Sequence, residues 1–66
     1  MEFLEKARVR LEHWIHHNEH HGEDYGEFAR ELDKAGKSQS SEYIKEMIEL
    51  TRKTTECLKK ALKALE

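Results

Sequence analysis

Five histidines fall within nine consecutive positions of this 66-residue chain, in the run Glu12-His13-Trp14-Ile15-His16-His17-Asn18-Glu19-His20-His21. Imidazole ligates first-row transition metals, carries protons near neutral pH and serves as donor or acceptor, so chemistry would concentrate here. On a helix the pairs His13/His17, His16/His20 and His17/His21 are i,i+4 neighbours, the spacing at which two imidazoles can hold one ion. Their directions divide them. His21 and Asn18 point into the apolar stripe of the helix, His17 lies at its edge, and His13, His16 and His20 turn progressively outward. An inward metal site would take His17 and His21, with His13, Cys57 or a second copy of the chain adding ligands. Neutral imidazoles, with or without a thiolate, suit zinc, nickel or cobalt better than calcium. The outward His16 and His20 fall within one turn of Glu12, Glu23 and Asp24, which could complete a surface site of two imidazoles and one carboxylate, and ordinary i,i+4 polar pairing is the favoured account. No residue pattern demands a cofactor.

The inward set also has an account without metal. Folding the chain back about Ser38 puts His21 and Asn18, with His17 at the edge, opposite Thr51, Thr54 and Thr55. Both halves lose their large apolar side chains at that height. Imidazole, carboxamide and hydroxyl groups are therefore expected to form one compensated polar layer that fixes register, as a single buried Asn does in a coiled coil. Catalysis is less well supported. The chain has neither the Glu-x-x-His pair of carboxylate-bridged di-iron bundles nor the His-Glu-x-x-His of zinc proteases. Cys57 can be brought near His21 as a thiolate-imidazole pair, but no oxyanion donor set or pocket accompanies it. The chain is not expected to be an enzyme.

Helices must position these groups. Pro is absent, and apolar residues recur at alternating spacings of three and four. Leu4, Ala7, Leu11, Trp14, Asn18, His21, Tyr25, Phe28, Leu32 and Ala35 keep one heptad register, and Ile44, Met47, Thr51, Thr54, Leu58, Ala61 and Leu65 repeat it. Gly36 stands where a left-handed residue ends a helix, and Lys37-Ser38-Gln39-Ser40-Ser41 supplies a turn with N-cap candidates. The expected fold is all-α, an antiparallel two-helix hairpin with helices over about 2–35 and 39–65, a turn over about 36–38, and residues 1–66 forming one domain. Trp14, Tyr25, Phe28 and Met47 are expected in its core, with Trp14 the largest anchor of the seam or of the oligomer contact. Gly22 and Gly26 each cost about 1 kcal/mol relative to Ala inside a helix. They would mark a break near His21 to Tyr25, giving three helices, or be tolerated in one. The heptad phase does not slip across them, which favours one.

One seam does not use all the apolar residues. Leu4, Ile15, Gly22 and Ala29 on the first helix and Ile48, Thr55 and Leu62 on the second widen the face. A second copy is the simplest partner, giving an antiparallel four-helix bundle as a homodimer. Composition agrees, because 36% apolar against 39% charged residues leaves so short a chain little core of its own. The net charge of -2 comes from interspersed signs, and Lys45, Glu49, Arg52, Glu56, Lys59 and Lys63 share one mixed face, so a nucleic-acid surface is not expected. The longest apolar run is two residues, against the ~20 of a membrane span, and one Cys forms no disulfide framework. No apolar signal segment follows Met1, and a cytoplasmic location is expected.

The string His13-Trp14-Ile15, then His17-Asn18, then His21, followed by Tyr25, Phe28-Ala29 and the Gly36 turn, resembles a group of short uncharacterised prokaryotic helical domains. These carry a His-Trp-Ile-x-His-Asn-x-x-His stretch. The likeness spans most of the chain, and the stretch is its distinctive part. It implies a helical hairpin in which His13, His17, Asn18 and His21 act as a unit, and it implies no activity. His16, His20 and Cys57 lie outside the pattern. The chain thus reads as a non-enzymatic, self-associating interaction or scaffold module, with transition-metal binding through His13 to His21 as the alternative.

Overall fold

The computed structural model describes residues 2–66 as two helices, α1 over Phe3–Lys34 and α2 over Ser38–Ala64, and no strand among them. They lie antiparallel in a rod with Cα extents of 51 × 16 × 11 Å. α1 passes through Gly22 and Gly26 without a break. Neither glycine is there for a close approach: a Cβ at Gly22 would meet no atom within 4 Å, and one at Gly26 would lie 3.8 Å from the Arg30 guanidinium.

The turn is built by the end of α1. Gly36 has φ +78°, its N–H donates to the Asp33 carbonyl at 3.0 Å, and the Lys37 N–H donates to the Leu32 carbonyl at 2.8 Å. These bonds form a Schellman motif, which satisfies carbonyls the helix end would otherwise leave bare. The serines that follow do not cap α2. Its N-cap is Lys37, with no side-chain cap bond, and Ser41 is instead fully buried against α1, donating its hydroxyl to the Ala29 carbonyl at 3.0 Å. The glycines therefore predict opposite effects. Gly22→Ala should stabilise the chain by about 1 kcal/mol, and Gly36→Ala should destabilise it by about 1–2 kcal/mol through the left-handed backbone, with urea melts moving in opposite directions.

The seam differs from the expected one by a rotation of α1. Leu11, Asn18, Tyr25 and Leu32 face α2 as expected, but the positions between them are filled by Ile15, Gly22 and Ala29. Ile15 and Ala29 are the buried hydrophobic residues, whereas Trp14 is 47% and Phe28 49% exposed. On α2 the same shift turns Ser41, Ile48, Thr55 and Leu62 inward and leaves Thr54 and Ala61 exposed. The expectation that Trp14 and Phe28 fill the core is thus corrected. The observed rotation also sets opposite charges beside one another along one flank. This seam places Glu12, Glu19 and Asp33 on the same flank as Lys45, Arg52 and Lys59, with Lys45 Nζ 3.2 Å from Asp33 and Lys59 Nζ 3.4 Å from Glu19. The alternative rotation would remove those carboxylates from the flank and put the Trp14 and Phe28 rings into the seam.

Asp33 also ties the turn end of the rod together. The Ser41 hydroxyl and then the Lys45 ammonium hold its carboxyl below the usual carboxylate range. A folded value below the unfolded value of about 3.9 means the contribution to stability is present above pH ~4 and is lost as acid carries pH through the folded value. Asp33→Asn should accordingly flatten the fall in melting temperature on the acid side of pH ~4.

Candidate functional site

Each i,i+4 step along α1 advances the chain one turn and rotates it slightly, so His13, His17, His21 and Tyr25 climb from the outer surface of α1 into the seam. The structure stacks these four rings in a ladder. The His13 and His17 rings lie 6.0 Å apart and 21° from parallel, His17 and His21 lie 4.3 Å apart edge to face at 85°, and His21 and Tyr25 lie 5.7 Å apart at 15°. The closest polar contact is between His17 Nε2 and His21 Nε2, at 2.9 Å. One nitrogen must donate there and the other accept, so the contact requires at least one ring to be neutral at Nε2. Tyr25, which supports His21 from within the seam, was expected only as core. The i,i+4 step after His21 is the signal that identifies it.

The remaining candidates are spread out. His16 and His20 are exposed, and His16 Nδ1 lies 3.9 Å from Glu19. Cys57 is a free, exposed thiol on the outer edge of α2. Among the described residues no three His, Cys, Asp or Glu side chains group to hold a metal ion, so His13 and Cys57 do not join His17 and His21 within one chain. Within the ladder the pair that brings two ring nitrogens into contact is His17 and His21.

The polar residues divide between the two sides of the seam. Asn18, Thr51 and Thr55 line an open groove of about 350 Å³ on the charged flank, beside the missing side chain of Gly22 and between Glu19, Arg52 and Lys59. The threonine hydroxyls bond within α2: Thr55 donates to the Thr51 carbonyl at 3.0 Å, and Thr54, which is exposed, to the Leu50 carbonyl at 3.1 Å. His17 and His21 bond to each other. The elements therefore bring the expected polar residues to one height, but the bonds run along each helix rather than between the two.

The opposite flank is apolar. Since the ion pairs fix one side of the rod, the remaining edge positions meet on the other: Trp14, His21 and Phe28 of α1 beside Met47, Thr54 and Ala61 of α2, with Tyr43 and Leu50 just beyond. Tyr43 is 65% and Leu50 58% exposed. Among the described residues no helix is long and apolar enough to cross a membrane. Chemically, then, the surface offers an aromatic and aliphatic strip with a pair of converging imidazole nitrogens at its centre.

No curated protein and no solved structure matches the chain. A family model does, over residues 7–65, which takes in the histidine ladder, the turn and all of α2. The chain belongs to the family described as a domain of unknown function, DUF8180.

Proposed function

We propose that the chain is a non-enzymatic interaction module that pairs with a second copy through its apolar flank to form a four-helix bundle. The observation that carries this reading is the amount of surface left over. A compact monomer of 7.9 kDa is expected to expose about 4,400 Å², and this chain exposes 5421 Å². The excess is on the order of 1,000 Å², and a face of 51 by 16 Å matches the roughly 800 Å² per partner that stable dimers bury. Trp14 and Phe28 lie within that face rather than scattered over the rod, as anchors of an interface do. His21 lies at the middle of that face and His17 at its edge, so part of the unit suggested by the sequence resemblance would join the contact.

Charge argues for antiparallel pairing of the two α1 helices. Along the edge beside Trp14 and Phe28, Arg10 lies toward one end of α1 and Asp24 and Glu31 toward the other. A crossing near residue 19 sets Arg10 within a turn of Asp24 and Glu31 of the partner subunit, whereas parallel pairing would set like against like. Sedimentation equilibrium of the untagged chain in chelator is the test. A dimer at micromolar concentration supports the reading, and a monomer at 100 µM rejects it.

A further inference from the structure

Resting on that self-association, we infer that the His17/His21 pairs of two copies together bind one divalent transition metal, of the class of zinc, nickel or cobalt, at the centre of the dimer. Three observations lead there. The two Nε2 atoms of one chain already converge to 2.9 Å. Two imidazoles on one tetrahedral ion, with metal–nitrogen bonds of about 2.0–2.1 Å, hold their nitrogens about 3.3 Å apart, so an ion needs the pair to open by about 0.4 Å and each ring to turn its Nε2 off the line between them. No proton need leave the protein: the ring now donating at Nε2 takes its proton on Nδ1 instead, and both Nε2 lone pairs then face the ion.

The second observation is that the pair is half a site. With no group of three ligands among the described residues of one chain, two nitrogens alone leave at least two positions open. The third is its height. α1 spans Phe3–Lys34, and His17 and His21 straddle its midpoint. Any two-fold that overlaps the rods along their whole length therefore brings both pairs to the same level. In the antiparallel arrangement that charge favours, His17 of one copy lies against the partner's His21. Because His21 sits on the apolar flank between Trp14 and Phe28, the flank that would be covered carries the nitrogens inward. Four imidazoles in a partly dry interface suit a borderline ion and not calcium or magnesium.

The experiment follows the untagged full chain by sedimentation while zinc is titrated, with cobalt absorption as a second readout. The expected result is one metal per two chains and a dimer tightened about 100-fold when free zinc exceeds its dissociation constant 100-fold, with intense visible cobalt bands of a four-nitrogen tetrahedral site. His17→Ala and His21→Ala should each abolish both effects, and His16→Ala and His20→Ala should leave both unchanged. A dimer in chelator that zinc neither tightens nor occupies overturns the metal site and leaves the self-association standing. A monomer in chelator that zinc assembles at one ion per two chains keeps the metal site and rejects spontaneous pairing. One ion per chain with weak octahedral cobalt bands, or loss of binding in the His16 and His20 variants alone, overturns the shared site.

Discussion

Replacing Trp14 and Phe28 together with lysine is expected to turn the proposed dimer into a monomer, raising its dissociation constant by about 10³-fold or more. Each ring is about half exposed in the single chain, so each has roughly half its surface left for a partner to cover. Truncating an aromatic anchor at the centre of an interface typically costs about 2 kcal/mol or more, and two such losses give a factor of about 10³. The lysines add to this by putting four ammonium groups into a face that must be desolvated. The same substitutions should weaken the hairpin by about 1 kcal/mol per ring, for the half of each that the chain itself covers, yet leave it folded, because the seam runs through Ile15, Gly22 and Ala29 and the ion pairs lie on the other flank. Helical circular dichroism at high concentration should therefore persist while the sedimenting mass halves. Glu12→Lys, on the charged flank, is the control: it should weaken the hairpin slightly and leave the mass unchanged. Loss of helix in the double variant at every concentration would mean that Trp14 and Phe28 hold the single chain together, and the apolar-flank interface would be wrong.

The heptad pattern made the two helices legible because it continues without a slip from Leu4 to Leu32 and again from Ile44 to Leu65, and because Gly36 is the one glycine placed where a positive φ is needed. Rotation was harder to read. Leu11, Asn18, Tyr25 and Leu32 belong to either seam, and hydrophobicity alone prefers Trp14, His21 and Phe28 as the residues that complete it. That preference fails here because transfer free energy rewards covering a large ring wherever it is covered, by α2 or by another molecule. The charges carried the missing information. Glu19 and Asp33 are two heptads apart, as are Lys45 and Lys59, and only one rotation lets both pairs meet.

The histidines show the same division. Spacing along one helix placed His17 beside His21, since i,i+4 adjacency is a property of the helix itself. It could not place Cys57, whose contribution depends on which edge of α2 faces α1, and that edge is set by the rotation just described. Nor could it direct the threonine hydroxyls. A threonine within a helix always has a carbonyl one turn back within reach, and Thr54 and Thr55 both take it in preference to a partner across the seam. Local geometry wins whenever the distant partner requires two helices to meet at a particular rotation.

That preference makes the centre of the seam a site of expected gain. Asn18→Leu combined with Thr55→Val should stabilise the hairpin by about 2 kcal/mol, raising its melting temperature by roughly 10 °C. Thr55 is buried, and its hydroxyl donates to a carbonyl that already accepts the backbone N–H of the same residue, so valine orphans nothing. Asn18 is half-buried at the rim of a groove that Gly22 leaves open, and a leucine there extends the apolar row between Ile15 and Ile48. The role proposed for the polar residues is discrimination among arrangements. In a chain with two usable stripes, a leucine at position 18 is compatible with either rotation, whereas a carboxamide resists burial in a dry seam. The variant should therefore melt at a higher temperature yet sediment as more than one species, with broader amide resonances. A loss of more than about 1 kcal/mol instead would show that the Asn18 carboxamide makes a bond in the assembled protein that a single hairpin lacks.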